Sequence, residues 1–260
     1  YDAKLGAIGK RIKNIPLLIG IGDVWPEKVL IELTSFYLLI RGLRKMEELP
    51  LNIQQDLLAV AGISTRKEEL FQYGQIVNDT WMILGMVEGV EDNLNHRRTW
   101  VLGHETKRYG LILDYAFGNN PYVTNYKRGN VFVGNVAFYP SNAPLRVAIK
   151  DKQVLDRRIK RIIGFPNFST FLEFYAQNLA ANPWQLSFPC SIEAVIPVLD
   201  KGILYLIDKE QKIIPLFEEA AIKWKLLAAS GGHRINVFGE WSGDRLLLLS
   251  LTINQTYISL

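Results

Sequence analysis

The hydrophobic positions near the start of the chain repeat with the spacing of a helix. Between residues 26 and 44, apolar side chains recur every three or four positions and therefore lie on one face of a predicted helix: Val29, Leu30, Leu33, Phe36, Tyr37, Ile40 and Leu43. Pro50 stops this helix, and a second helix is predicted over 51–60. Ser64 is the predicted N-cap of a third short helix, which runs through Phe71.

The pattern changes from residue 79 onward to short runs of β-branched and aromatic residues separated by Gly, Asn and Asp. These runs predict an antiparallel meander of about five strands over residues 79–150. Trp100 and Leu113 are expected in neighbouring strands of one hairpin. The basic segment 151–161 is predicted as a junction, and Ser169 as the cap of the helix that follows it.

The last part of the chain returns to strand-like runs, which predict strands over 194–198, 203–207, 212–216, 224–228, 235–238 and 246–251. The predicted fold class is α+β, with N-terminal helices, an antiparallel β-meander, a linking helix and a second antiparallel β-rich part. Four regions follow from this order: a helical region over 1–75, a sheet over 76–150, a basic junction and helix over 151–185, and a second β-rich subdomain over 186–260.

Composition excludes several classes of protein. Of the 260 residues, 48% are hydrophobic and 22% are charged, which is incompatible with a disordered, collagen-like or coiled-coil chain. A single cysteine, Cys190, excludes a disulfide framework and a cysteine-based zinc site within the chain. No uncharged apolar run approaches the ~20 residues that span a bilayer, so we expect a cytoplasmic protein without a membrane partner.

Residues with catalytic or metal-binding chemistry are sparse. Ser230 and His233 flank a Gly-Gly pair that could present N–H groups to an oxyanion, so a hydrolase using them is one alternative. The segment lacks the G-x-S-x-G pattern of a nucleophile elbow, and a turn between strands is the favoured interpretation. His96 and His104 belong to no metal-binding pattern. We therefore predict no catalytic residue, no metal site, no cofactor and no small-molecule substrate.

Positive charge is concentrated in two segments, 1–13 and 151–161, each with a net charge of +3. Such clusters can neutralise phosphates, so an accessory nucleic-acid-binding domain is a second alternative. Neither segment interleaves its cations with the aromatic residues of a single-strand platform, and solvated surface is the favoured interpretation. The candidate nucleic-acid-binding residues are Lys10, Arg11, Lys13, Arg157, Arg158, Lys160 and Arg161.

Trp241 is unusual among the six tryptophans because it lies in the glycine-flanked segment 239–243. A tryptophan in such a turn is poorly placed for a core and well placed as an interface anchor. We expect Trp241, together with Glu240 and Asp244, to contribute to a surface that binds a protein partner.

Three blocks of the sequence resemble the region downstream of the zinc finger in bacterial SWIM zinc finger family proteins. They comprise residues 49–70 with 79–81 and 97–103, residues 113–116 with 138–146, and residues 224–232 with 237–244 and 249–250. The resemblance implies binding of DNA or proteins, and bacterial members are often encoded beside AAA+ ATPase and von Willebrand A-type proteins.

The zinc motif of that family, C-x-C followed by C-x-H, cannot form around Cys190, which is followed by Ser191 and Ile192. The resemblance therefore implies zinc only in a finger upstream of Tyr1, or a finger that has been lost. Together with the lack of catalytic residues, it favours a non-catalytic protein-interaction or scaffold module that serves an assembly of those proteins.

Overall fold

The computed structural model describes residues 6–20, 22, 25–91, 93–185, 187–217 and 220–260. The chain divides into two compact units. The first unit contains the chain up to Gly74 together with Tyr139–Pro144 and Asn178–Gln185, and the second contains Gln75–Phe138, Leu145–Gln177 and Leu186–Leu260. The six helices and two antiparallel sheets of the described residues confirm the predicted α+β fold class.

Four helices form most of the first unit, as the helical periodicity predicts. They are α1 (Gly6–Leu18), α2 (Trp25–Arg44), α3 (Leu51–Val60) and α4 (Lys67–Tyr73), with a 3₁₀ helix over Met46–Glu48. The prediction of Ser64 as a cap was wrong, because Arg66 occupies the N-cap position of α4 and makes no side-chain cap there. The acidic residues Glu68 and Glu69 lie in the first turn of α4 instead, where they complement the helix dipole.

A buried carboxylate joins the separate segments of the first unit. Asp56 on α3 accepts hydrogen bonds from the backbone N–H of Asn142 at 3.0 Å and from Nδ2 of Asn182 at 2.9 Å. Burial raises the pKa of Asp56, and its hydrogen bonds with Ser141 and Asn142 oppose that effect. Asp56 therefore fastens two chain segments that are distant in sequence to the same helix.

The first sheet of the second unit contains β1 (Gln75–Glu91), β2 (Leu94–Gly103), β3 (Tyr109–Phe117), β4 (Asn130–Phe138) and β5 (Val147–Arg158). Its strand order is β3-β2-β1-β4-β5, and all paired strands are antiparallel. The predicted hairpin is present, with Trp100 opposite Leu111. The predicted meander was wrong at one connection, since a meander would place β4 beside β3. The chain instead returns across the sheet after β3, and β4 pairs with the first half of the long β1.

The two outer strands of this sheet approach each other at one end. The backbone N–H of Leu111 donates to the carbonyl of Leu145 at 2.7 Å, and Leu111 forms a parallel bridge with Arg146. A register shift between Ile83 and Gly85 marks a bulge in β1, and bulges bend strands. The result is a five-stranded, partly open Greek-key barrel, the architecture of OB folds. Its interior cluster includes Trp81, Val101, Phe132, Val136 and Phe138.

The second sheet has the order β11-β10-β9-β6-β7-β8. Its strands and neighbouring helices are α5 (Phe168–Ala181), β6 (Phe188–Asp200), β7 (Ile203–Ile207), β8 (Ile213–Pro215), α6 (Ala220–Ser230), β9 (Ile235–Trp241), β10 (Leu246–Ile253) and β11 (Thr256–Ser259). One hydrophobic cluster joins this sheet to Phe171 of α5 and Leu226 of α6. Another joins Phe238 and Leu249 of the sheet to Trp100 of the barrel, so the second sheet packs between the barrel and these helices.

Three local predictions were wrong in the second unit. Residues 224–228 belong to α6 rather than to a strand, because the segment is rich in Ala, Leu and Lys, which favour helices. Residues 151–158 continue β5 and are not a junction. The cap of α5 is Asn167 rather than Ser169, since Asn167 Oδ1 accepts the backbone N–H of Thr170 at 2.8 Å.

Candidate functional site

Trp241, expected as an exposed anchor, is buried. Its side chain is 5% exposed and packs edge-on against Phe171 of α5, with 6.0 Å between ring centroids. Trp241 ends β9, where it lies opposite Phe188 and Leu246 in the neighbouring strands. Residues 239–241 of the glycine-flanked segment therefore belong to a paired strand, and strand alternation directs the indole into the core.

Glu240 is also buried, within an ion pair that joins the second sheet to the barrel. Its carboxylate accepts hydrogen bonds from Arg98 Nε at 3.0 Å, Arg98 Nη2 at 2.8 Å and Trp100 Nε1 at 2.7 Å. Asp244, in contrast, is exposed and accepts the Ser242 hydroxyl at 2.7 Å. Because two of its three residues are buried, the predicted partner surface does not exist as one exposed patch.

Ser230 and His233 are not arranged for nucleophilic catalysis. The buried Ser230 hydroxyl donates to the carbonyl of Leu227 at 3.1 Å, as is common for a serine in a helix. The His233 side chain is exposed, and the hydrogen bonds described for this pair do not join the hydroxyl to the ring. The two residues lie instead in the turn that ends α6, in which Gly231 has a positive φ of 54°.

Metal-binding chemistry is not assembled in the part of the chain that the structure describes. No group of three or more His, Cys, Asp or Glu residues there is arranged to hold a metal ion. Cys190 is buried in the second sheet, and burial raises the pKa of its thiol, which disfavours the thiolate that metals and electrophiles need.

The N-terminal candidate residues Lys10, Arg11 and Lys13 lie on α1, in the first unit. Arg11 Nη2 pairs with Glu32 of α2 at 2.8 Å, and its guanidinium lies 5.0 Å from the ring centroid of Phe36. Lys10 and Lys13 also take part in interactions. The remaining predicted cations, residues 157–161, belong to the second unit.

Strand pairing brings further cations to the predicted segment 157–161. Arg158 lies opposite Asn130 in the barrel, and its Nη2 donates to the carbonyl of Arg128 at 2.9 Å. Arg161 is engaged by Glu193 at 2.6 Å. We call the remaining cations of this region the basic cluster: Lys127, Arg128, Arg157, Arg158 and Lys160. Sequence analysis missed Lys127 and Arg128, because only the β4–β5 register places them beside β5.

Exposed aromatic side chains lie on the outside of the barrel, at the far end of β2 and β3. Tyr115 and Phe117 are 56% and 65% exposed and lie opposite His96 and Leu94. These positions share a face with Arg98, which is directed at Glu240 outside the barrel. We call His96, Tyr115 and Phe117 the aromatic face. The sequence signal for it, two aromatic residues at alternate positions of one strand, was present but unused.

A cation–aromatic cluster holds the 118–129 loop to the barrel. The buried Arg97 pairs with Asp114 at 2.9 Å, donates to the carbonyl of Thr124 and lies 4.2 Å from the ring centroid of Tyr122. Lys152 Nζ lies 4.3 Å from the ring centroid of Tyr126. Burial raises the pKa of Tyr126 to about 12 and lowers that of Lys152. This cluster fixes the loop that leads to Lys127 and Arg128.

Helix α2 carries the most continuous exposed apolar surface on any described helix. The periodic face predicted from sequence is largely exposed, because Phe36 and Leu39 are the residues that α2 buries. We define the α2 surface as the large apolar side chains of α2 that are between 42% and 66% exposed: Leu30, Ile31, Leu33, Tyr37, Leu38 and Ile40. Ile12 and Leu17 of the neighbouring α1 are exposed as well.

Comparison with protein-family models and with curated proteins yields no match for this chain. None of the helices in the described ranges combines the length and the apolar character needed to cross a membrane. The surfaces that carry recognisable binding chemistry are therefore the α2 surface of the first unit and, on the barrel, the aromatic face and the basic cluster.

Proposed function

We propose that this chain is a non-catalytic protein-interaction module, that the α2 surface is its docking surface, and that a second copy of the chain is the partner. The observation that carries the proposal is the exposure of six large apolar side chains on one helix. Contiguous exposed apolar patches typically mark interaction sites on proteins. The resemblance to the region downstream of a SWIM zinc finger supports an assembly role, with AAA+ ATPase and von Willebrand A-type proteins as its proposed setting.

The spacing on α2 favours another helix as the occupant. Leu30, Leu33, Tyr37 and Ile40 follow one another at intervals of three, four and three residues. This is the spacing with which two helices interlock their side chains along a seam. A helix that is apolar along one stripe therefore fits the α2 surface better than an extended peptide does.

The charges at the two ends of α2 favour a second copy in antiparallel orientation. Glu27 lies in the first turn of the helix, and Arg41 and Arg44 lie in the last turn. When two copies of α2 pack antiparallel, Glu27 of each copy meets Arg41 of the other. A two-fold interface of this kind satisfies both charge pairs at once and closes as a dimer.

Sedimentation velocity of charge-reversal variants tests this assignment. We expect the wild-type chain to dimerise, and Glu27→Arg or Arg41→Glu alone to weaken dimerisation about tenfold, as like charges meet across the interface. The double variant Glu27→Arg with Arg41→Glu restores the pairs and therefore restores the dimer. Leu33→Glu removes it altogether.

Leu51→Glu is the matched control, because Leu51 is an exposed leucine on α3 outside the α2 surface, 75% exposed against 52% for Leu33, and this variant should dimerise like the wild type. Two outcomes would overturn the proposal. One is a monomer at every concentration. The other is a dimer that survives Leu33→Glu.

A further inference from the structure

The barrel is open along most of its outer strand β3. β3 and β5 are the two outer strands of the first sheet. They meet at one place, where the N–H of Leu111 donates to the carbonyl of Leu145 and Leu111 forms a parallel bridge with Arg146. Among the described residues, this bridge is the one at which β3 and β5 pair. We call the outer side of residues 112–117 of β3 the open edge.

The register of the β2–β3 hairpin identifies the backbone groups that point out of the open edge. Antiparallel strands alternate between hydrogen-bonded and non-hydrogen-bonded residue pairs. At the two ends of the hairpin, the N–H of Gly103 donates to the carbonyl of Arg108 at 3.0 Å, and the N–H of Gly118 donates to the carbonyl of Asn93 at 2.9 Å. From either end, the alternation places the odd-numbered residues of β3 in non-hydrogen-bonded pairs, so their N–H and C=O groups point away from β2.

Three residues of the open edge have this outward orientation: Leu113, Tyr115 and Phe117. The carbonyl of Phe117 accepts the N–H of Asn120 at 3.2 Å, and Leu111 already uses its outward N–H in the bridge to β5. No backbone hydrogen bond from another described segment reaches Leu113 or Tyr115 on the outward side. The open edge also contains no lysine, proline or bulge, the features that commonly protect an outer strand from pairing.

The two sides of the open edge present different chemistry. Tyr115 and Phe117 are exposed on one side. The other side carries Arg97 of β2, whose guanidinium lies 5.0 Å from the ring centroid of Tyr126, and Lys152 Nζ lies 4.3 Å from the same centroid. An extended segment along this edge therefore places alternate side chains beside the exposed rings and beside the cation of Lys152.

The charge across the open edge is positive. Residues 146–152 run parallel to β3 from the bridge and contain three basic residues and one acidic residue, a net charge of +2. Within residues 111–117 the one charged side chain is Asp114, and Arg97 neutralises it at 2.9 Å. An acidic segment is therefore the electrostatic match for this edge.

We propose that an extended acidic segment of a partner protein adds to the open edge of β3 as an antiparallel strand. The outward backbone groups of Leu113, Tyr115 and Phe117 pair with the segment, as in other strand additions to a sheet edge. Its apolar side chains lie beside the exposed rings, and the acidic side chains between them lie on the side of Lys152. The open edge belongs to the second unit and the α2 surface to the first, so this binding does not require the proposed dimer.

Fluorescence anisotropy with a labelled peptide of about eight residues that alternates Val and Glu tests the proposal on the full chain. We expect binding that weakens with salt, because the charge complementarity is at an exposed site. The same peptide with Lys in place of Glu should bind at least about tenfold more weakly, since like charges then meet across the edge.

Methylation of the peptide nitrogens tests whether the binding uses the backbone of the open edge. In the antiparallel arrangement, the N–H groups of the valines face β3 and those of the glutamates face away from it. The peptide methylated at its valine nitrogens should therefore bind at least about tenfold more weakly, because several backbone hydrogen bonds are lost. The matched peptide, methylated at its glutamate nitrogens, should bind like the unmodified peptide.

Variants of the chain test the same site from the other side. Tyr115→Pro removes an outward N–H that the β2–β3 ladder does not use, so the variant should fold and bind at least about tenfold more weakly. Lys150→Glu should weaken binding about fivefold, as expected for an exposed ion pair. Lys209→Glu makes the same charge change at an exposed turn of the second sheet, and Leu33→Glu disrupts the α2 surface, and both should bind like the wild type.

Circular dichroism establishes whether each variant is folded, and the methylated peptides test the wild-type chain even if Tyr115→Pro does not fold. The inference fails on any of three results. The first is the absence of binding of the acidic peptide at low salt. The second is an equal loss of affinity on methylation of valine and of glutamate nitrogens. The third is unchanged binding by folded Tyr115→Pro.

Discussion

Single residues of the second unit show how the neighbours of a side chain decide its role. Glu240 is a charged residue beside a glycine-flanked tryptophan, and its sequence context is typical of an exposed turn. The fold instead gives it three hydrogen bonds, from Arg98 and from the indole of Trp100. These partners are more than a hundred residues away in sequence, so local pattern contains no signal for the burial of Glu240.

Glu240→Ala should destabilise the chain by about 3 kcal/mol, because it leaves Arg98 and the buried Trp100 Nε1 without their acceptor. Chemical denaturation monitored by tryptophan fluorescence measures the change. Asp244→Ala, which alters an exposed carboxylate, should shift the free energy of unfolding by less than about 0.5 kcal/mol. If both substitutions changed the free energy of unfolding equally, the ion pair of Glu240 would contribute nothing to stability.

Asp79 makes the free energy of unfolding depend on pH in the acidic range. Burial raises the pKa of its carboxyl, but hydrogen bonds from Thr80, Glu105 and Thr106 outweigh burial and hold the pKa below its ordinary value. Asp79 therefore contributes stability above pH ~4, the pKa in the unfolded chain, and loses that contribution as pH falls through the lower pKa of the folded state.

Asp79→Asn should remove this contribution. We expect the free energy of unfolding of the variant to change less than that of the wild type between pH 5 and about pH 3. Asp200→Asn, at an exposed position, serves as the control and should follow the wild-type curve. Identical slopes for Asp79→Asn and the wild type would contradict the role of these hydrogen bonds.

At the scale of elements, strong local periodicity was sufficient to predict where helices and strands lie. It was not sufficient to predict which strands pair. The spacing of apolar residues over 26–44 predicted α2 almost to its ends, and β-branched runs placed the barrel strands. The run Trp224-Lys225-Leu226-Leu227 was ambiguous because a short apolar run fits either a strand or a buried helix. The return of β4 to β1 and the approach of β3 to β5 depend on long-range pairing, which no local pattern specifies.

The bulge in β1 allows the second sheet to approach the barrel closely. A Cβ on Gly85 would lie 2.8 Å from Cβ of Leu249 and 3.2 Å from Cδ1 of Phe238. Gly85→Ala should therefore destabilise the chain by about 1–3 kcal/mol through overpacking, measurable as a lower melting temperature.

Gly89→Ala is the matched substitution on the same strand, because the three atoms nearest its Cβ all belong to the ring of His96, which can move. We expect its effect on the melting temperature to be clearly smaller than that of Gly85→Ala. The reverse order would argue against close packing at the bulge.

At the scale of the whole molecule, the candidate surfaces were only partly predictable. The sequence identified Arg157, Arg158 and Lys160, but their association with Lys127 and Arg128 follows from the register of β4 and β5. The sequence analysis also placed the α1 cations in the same candidate site as Arg157, Arg158 and Lys160, although the two groups belong to different compact units. The apolar stripe of α2 was evident from its period, but exposure is a property of the folded chain, so the same stripe was equally consistent with a core.

The antiparallel docking of two α2 helices is tested most directly by cysteine cross-linking between copies. Chains carrying Glu27→Cys and chains carrying Arg41→Cys are mixed under mild oxidation, and the disulfide-linked dimers are identified by mass. We expect the mixed Glu27→Cys/Arg41→Cys dimer to form fastest, because antiparallel packing brings these two positions together. Preferential formation of the Glu27→Cys homodimer, or no cross-linking above that of a Leu51→Cys control, would contradict the docking surface.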